Sequence, residues 1–327
     1  MPGIHRSILR TVLAAGLGAA LVPGAVAQSY PTKPIRLIVG FGAGGGNDIF
    51  ARLIAPKLSE RLGQPVLVEN KPGAGGTIAA DLVAKSAPDG HTLYVGATGA
   101  MTISPAVFSK LSYDPVRDLM PISMASSYPF ALTVHPSLPV RNVKELVALA
   151  KSKPGELAYA SAGGGTMSHM ATELLRVKAG IRMQHLPYKG AAPASVSLIS
   201  GETQLAFLVM PVAAAQMKAG KLRLLAVAAP ARSTAVPGAP TMREAGVEGH
   251  EAVQWNGFFA PARTPQPVID RLHREVAKTV HLPDVKKRFE AEGATPSGNT
   301  PGEFAAFFKV EAAKWADVAK KSGTKLD

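Results

Sequence analysis

Ile35-Arg36-Leu37-Ile38-Val39-Gly40-Phe41-Gly42-Ala43-Gly44-Gly45-Gly46-Asn47-Asp48 decides the fold. A short apolar run of strand character leads straight into a glycine-rich turn. From Asp48 to Leu62 the apolar residues Phe50, Leu53, Ile54, Leu58 and Leu62 then recur near helical spacing. Strand, turn and helix repeat: a strand over residues 66–69, a turn from Asn70 to Gly76, a helix over 77–87 and a strand over 92–97. A βαβαβ opening predicts an α/β fold with a parallel sheet and helices on both faces.

A second series starts near Phe130. Strands are expected over 131–134, 157–160, 183–186, 204–209 and 222–228, and helices over 143–151, 166–179, 194–200 and 212–219. The last stretch reads as helices over 265–280, 283–292 and 301–321 that cover a sheet built earlier. The simplest architecture is two α/β domains, residues 28–128 with 255–327 and residues 129–254. The chain crosses between them near 126–129 and 253–257. Two crossings make a hinge, and a hinge between two sheets makes a ligand cleft.

The chain begins with a segment of export character. His5, Arg6 and Arg10 precede an apolar, small-residue core from Thr11 to Val22, and Ala25-Val26-Ala27 is an A-x-A cleavage site. Residues 1–27 are therefore expected to be a signal peptide, with Gln28 first in the mature chain. The run is too short and too broken by glycine for a retained anchor. About 300 residues remain, enough for two domains. There is no Cys, which excludes disulfides, thiolate catalysis and Cys-ligated metals. The formal charge of +13 falls to +11 without the signal and favours anionic partners. The basic residues are scattered, with adjacent ones at Lys286-Lys287 and Lys320-Lys321, and no row of them alternates with aromatics. Nucleic acid is not an expected partner.

Gly40, Gly42 and Gly45 satisfy G-x-G-x-x-G after a strand and before a helix, and Glu69 ends the next strand where a ribose-binding acid would stand. Export and the want of a hydride-transfer set argue against a nicotinamide enzyme. No Gly-Lys-Ser or Gly-Lys-Thr follows, so a Walker loop is excluded. The physics of the turn survives without a nucleotide. Glycines let backbone N–H groups converge on an anion, and the first helical turn has unpaired N–H donors. A carboxylate is as suitable as a phosphate. The first turn thus offers Phe41, Gly42, Ala43, Gly44, Gly45, Asn47 and Asp48. Asp48 either caps the helix or contacts a ligand ammonium, hydroxyl or water.

Three more loops leave C-terminal strand ends, which in an open α/β sheet face the ligand crevice. The segment 70–77 supplies Gly75, Gly76 and Thr77. The segment 98–101 supplies Thr98. The segment 161–169 supplies Ser161, Gly163, Thr166 and Ser168. Tyr188 either walls the cleft or packs at the core or hinge. No H-E-x-x-H, calcium loop, paired-His spacing or G-x-S-x-G occurs, and the His residues are dispersed along the chain. No catalytic residue, metal or cofactor is therefore expected. The competing reading is an exported enzyme acting on a small carboxylate.

These residues resemble the periplasmic solute-binding receptors of tripartite tricarboxylate transporters, the TctC-like Bug family, over nearly the whole mature chain. The resemblance rests on residues 30–39, the turn from Phe41 to Asp48, Val68 to Gly76, Ala87 to Leu93, Tyr159 to Gly163, Pro187 to Gly190, Gly220 to Arg223, and Trp255-Asn256-Gly257. It implies a two-domain periplasmic-binding-protein clamshell that binds organic anions, often by carboxylates, through loops matching Gly42–Asp48, Gly73–Thr77 and Ser161–Ser168. It also implies periplasmic location in a Gram-negative bacterium and delivery to a membrane permease of one large and one small subunit, or signalling, with a monomer as default. Three departures bear on the pocket: Gln204 where the family usually has Asp, Ser104-Pro105 for Asn-Pro, and Gly46 beside Asn47.

Overall fold

The computed structural model describes residues 30–43, 46–291 and 293–326. The expected signal peptide, and Gly44 and Gly45 of the first turn, lie outside the described residues. In order the elements are β1 (Ile35–Val39), α1 (Gly46–Leu62), β2 (Val66–Asn70), α2 (Thr77–Ala84), β3 (Thr92–Ala97), α3 (Ser104–Val107), β4 (Leu119–Val134), α4 (Val143–Ser152) and β5 (Ala158–Ser161). They continue through α5 (Met167–Ala179), β6 (Gln184–Pro187), α6 (Ala191–Ser200), β7 (Leu205–Val209), α7 (Met210–Lys218) and β8 (Arg223–Val227). Last come β9 (Val253–Pro261), α8 (Gln266–Val280), α9 (Pro283–Ala291), β10 (Thr295–Pro296) and α10 (Pro301–Ser322).

The opening unit forms as its pattern predicts. β1 lies between β2 and β3, parallel to both, with Leu37 paired to Val68 and Leu93. Its apolar residues are buried on both faces, as a parallel strand sandwiched by helices requires. The strand order is β2-β1-β3-β9-β4-β7-β5-β6, with β10 and β8 added on β4.

The sheet departs from the expected parallel form at its centre. β9 enters antiparallel between β3 and β4, in a region where a crossing but no long strand was expected. β4 begins at Leu119, not near 131. Its first part, Leu-Met-Pro-Ile-Ser-Met-Ala-Ser-Ser-Tyr-Pro, lacks a two-residue alternation, and two register shifts against β9 accommodate the irregularity.

Those two strands make the crossing. Leu119–Pro129 of β4 pair with β9, whereas Phe130–Val134 pair with β7 and β8. Separate apolar cores flank the switch. One gathers β1, α1, α8 and α9 around Phe50, Phe258 and Phe289; another gathers β4, α4, α5 and β7 around Leu132, Met170 and Phe207. α10 spans both halves. Phe304 and Phe308 pack beside Trp255 and Phe259, while Trp315 and Val318 enter the core of α5.

Candidate functional site

The expected binding loops sit at the C-terminal ends of β1, β2, β3 and β5. Gly40 is backed onto Gly76: a methyl group at Gly40 would stand 2.7 Å from Gly76 Cα and 3.2 Å from the Tyr94 hydroxyl oxygen. Tyr94 is fully buried, and its hydroxyl donates to Gly76 O at 3.1 Å. Phe41 lies over the same place, with Cε2 3.4 Å from where a Gly76 methyl would be. The first two glycine loops are thus in backbone contact. Only glycine fits at Gly76, where φ is +98°.

The loop after β3 joins them and meets a fourth loop, from the other half. A methyl on Gly99 would stand 3.8 Å from both Gly75 O and Gly165 O. Gly99 follows Thr98 at the end of β3, and Gly165 belongs to the loop between β5 and α5. Loops far apart in sequence and drawn from both halves therefore converge on one point.

The helix starts around that point are left without side-chain caps. α2 begins after Gly76 and α5 after Thr166, and neither residue caps its helix through a side chain. Elsewhere both kinds of start occur: Asn142 accepts from Glu145 N at the start of α4 and Thr300 with Glu303 closes a capping box on α10, whereas α6, α7 and α8 also begin without a side-chain cap. First-turn N–H groups carry partial positive charge and demand an acceptor.

In the first half, side chains of the turn are anchored outward. Asn47 is buried, and its amide donates to Asn256 Oδ1 at 2.8 Å, while Asn256 Nδ2 faces Ser126 Oγ at 3.4 Å. Thr98, also buried, accepts the Trp255 N–H at 3.1 Å. Asp48 is 2% exposed. Its carboxylate accepts from Arg52 Nε at 2.9 and 3.0 Å and from Asn70 at 2.9 Å, and the same Asn70 amide donates to Phe41 O. Glu69 is engaged by Arg36 through two bonds of 2.7 and 2.8 Å, an arrangement that leaves no ribose-binding acid there. Thr77 donates to Ala74 O. Gly42, Ala43 and Gly75 are exposed.

In the second half the loop knits itself together. Ser168 Oγ accepts from Ala162 N at 2.9 Å, and Thr166 Oγ1 donates to Gly163 O at 2.7 Å and lies 3.1 Å from Ser168 Oγ. Ser161 Oγ contacts the Gly163 backbone and lies 2.6 Å from His185 Nε2. His169 Nδ1 accepts from Gly165 N at 3.2 Å.

Below the loop is a cluster that the dispersed histidines did not foretell. The His169 and His185 rings stack at 3.9 Å between centroids, with Tyr159 4.8 Å from His185. Glu173 accepts from the Tyr159 hydroxyl at 2.5 Å and from Arg176 at 2.6 Å. Burial pushes His169 and His185 down to about 4, with Arg176 adding to the effect on His169 and His169 to that on His185. Both rings are therefore neutral at pH 7. Stacked rings cannot pass a proton edge to edge, so Ser161, His185 and His169 do not form a nucleophile relay. Tyr188 packs on the core of β7 and α6, its hydroxyl donating to Ser197 at 2.6 Å.

Asn256, Asn70 and the His pair escaped the sequence reading. Asn256 stood within the Trp255-Asn256-Gly257 motif, but its partner is 209 positions away. Among the described residues no group of three or more His, Cys, Asp or Glu is placed to hold a metal, and no helix is long and apolar enough to cross a membrane.

Known proteins resemble this chain over most of its length. The BugT protein of Bordetella pertussis is 37% identical over 301 residues, 92% of each chain. A Rhodopseudomonas palustris protein solved with adipate is 35% identical, with a TM-score of 0.82 over 91% of this chain and 100% of that one. MatC of the same species, solved with malate, is 34% identical, with a TM-score of 0.80 over 88% and 99%. The pattern that defines the tripartite tricarboxylate transporter family receptor matches residues 50–324. The chain belongs to that receptor family, with its two-domain periplasmic-binding-protein fold.

Proposed function

We propose that this receptor holds a small dicarboxylic acid between its two halves and releases it unchanged. The observation that carries the reading is the approach of Gly75 and Gly165, from opposite halves, to Gly99, beside helix starts that lack side-chain caps. One carboxylate would be received by the first-half loops, with Phe41, Gly42, Ala43, Gly44, Gly45, Asn47, Gly75, Gly76, Thr77 and Thr98 as its shell. Asp48 would act from behind, holding the turn through Asn70. Ser161, Gly163, Thr166 and Ser168 would present α5 to the other carboxylate as the halves close. The halves are residues 28–128 with 255–327 and residues 129–254, α10 reaching across.

Magnitudes are consistent with this. A hydrogen bond to a charged group contributes about 1.5–3 kcal/mol, so a few of them reach the roughly 8 kcal/mol of micromolar binding. The relatives solved with adipate and malate support the ligand class. In this reading the chain is exported by residues 1–27 to the periplasm of a Gram-negative cell, acts as a monomer, and passes its solute to a permease of large and small subunits or to a sensor. Catalysis forms no part of the reading.

Mass spectrometry of small molecules released by denaturing freshly purified protein, followed by calorimetric titration with adipate and malate, tests it. A stoichiometric, unmodified acid that rebinds is the expected result. A chemically altered product, or no heat with either acid, would overturn it.

A further inference from the structure

After α10 the chain doubles back toward the site. Leu326 N donates to Val107 O at 2.7 Å, and Leu326 pairs with Phe108 as an isolated parallel bridge. Its side chain lies against the second-half loop. A methyl on Gly164 would stand 2.9 Å from Leu326 Cδ2, and one on Gly165 would stand 3.1 Å from Leu326 Cδ1 and 3.3 Å from Val107 Cγ2. Val107 and Phe108 continue the segment that leaves β3 through Thr98 and Gly99. Leu326 therefore fills the joint between that segment and the loop from Gly163 to Gly165.

The loop needs such a filler. Gly163 and Gly165 have φ of +130° and +71°, conformations that glycine tolerates at the cost of chain entropy. Three consecutive glycines also offer no side chain with which to pack. Van der Waals contact must come from elsewhere if the loop is to keep one height. Leu326 provides it on one side, and hydrogen bonds provide directionality on the other: Ser168 and His169 accept from the loop N–H groups of Ala162 and Gly165, and Thr166 donates to Gly163 O.

We propose that Leu326 is a positioning residue for the second-half binding loop. It stands in for the side chains that Gly164 and Gly165 lack and sets where α5 presents its first turn to the ligand. The ligand part of this rests on the receptor reading above; the packing part does not.

Two measurements on the full chain separate the two. In ligand-free protein, Leu326→Ala should speed amide exchange at Ala162, Gly165 and Thr166 about tenfold, leaving the first turns of α10 unchanged. In titrations with adipate, Leu326→Ala and Gly164→Ala should each weaken binding about tenfold. Leu326→Met should recover most of the loss. The double variant should bind no worse than either single one, because removing the isobutyl group makes room for the added methyl. Unchanged exchange in Leu326→Ala, or losses that multiply in the double variant, would overturn the assignment. Wild-type protein that ignores adipate and malate would sink the dicarboxylate reading, while the exchange result would still decide the role of Leu326.

Discussion

The two halves of the molecule hold their binding loops by opposite means. In the first half, Asn47 and Thr98 are tied outward to Asn256 and Trp255, neighbours at the start of β9. In the second half, Ser161, Thr166 and Ser168 spend their hydroxyls on the loop itself, over a neutral His pair. Bonds within a loop fix its shape. Bonds to β9 fix its place on the central sheet. The first-half loops should therefore be sensitive to changes in β9, and the second-half loop chiefly to changes in its own floor.

The largest effect should come from parting the two first-half loops. Gly40→Ala forces a methyl within 2.7 Å of Gly76 Cα and 3.1 Å of Gly76 O, both backbone atoms. Overpacking of this kind costs about 1–3 kcal/mol. Because the displaced atoms are those of the binding loop, adipate affinity should fall about a hundredfold. Native affinity in a titration of folded Gly40→Ala would mean that this contact does not shape the site.

Asn256→Ala tests the outward ties. It leaves the buried Asn47 amide without its acceptor, a loss of about 1–3 kcal/mol, and should weaken adipate about tenfold. His185→Phe removes a floor contact from Ser161, yet Ser161 keeps its bonds to Gly163. Its expected loss is about threefold, or under 1 kcal/mol. Equal losses in the two variants would erase the distinction between the halves.

How much of this was legible in the sequence follows from the range of the interactions. The turn from Gly40 to Asp48 and the loops after β2, β3 and β5 announce themselves locally, because glycine and apolar spacing are local signals. β9 and the first part of β4 do not. Their prolines and serines blur the alternation, and their strand character comes from pairing with each other over more than a hundred residues. Asn256 is invisible for the same reason. His169 and His185 lie on a helix and a strand whose approach is set by the second-half core. Asp48 shows a different limit: the sequence posed cap against ligand contact, and gave no sign that Arg52 and Asn70, one turn and one strand away, are among the partners of its carboxylate.

The His floor predicts a pH dependence of stability. The folded-state values of His169 and His185 are held near 4 by burial, against about 6.5 unfolded. Between those values the unfolded chain binds protons that the folded chain refuses. Stability should therefore be complete above about pH 6.5 and fall as pH drops toward 4, by at most about 1.4 kcal/mol per pH unit for each ring. His250, buried on Phe207 and also pushed down to about 4, adds to the slope. The groups facing the pair are Tyr159, Glu173 and Arg176. Urea unfolding at pH 7, 6 and 5 should show a shallower decline for His185→Phe than for wild type. Parallel curves would mean that His185 takes up its proton at the same pH in the folded and unfolded chains, so that burial does not shift it.

The smallest effect on binding should come from a helix start of the other kind. Thr300 accepts from Glu303 N at 3.2 Å, and Glu303 accepts from Thr300 N at 2.8 Å, so α10 satisfies its own first turn. Thr300→Ala should cost about 1 kcal/mol of stability, comparable to the lower end expected for Asn256→Ala. Thr300 touches neither binding loop, however, and the Leu326 strap lies beyond the opposite end of α10. Adipate affinity should stay within about twofold of wild type, since a perturbation with no differential contact to the bound state cannot shift binding. The pair of variants thus separates stability from site geometry. If Thr300→Ala weakened adipate as much as Asn256→Ala, affinity would be following global stability, and the ties from Asn47 and Thr98 to β9 would have no special part in holding the ligand.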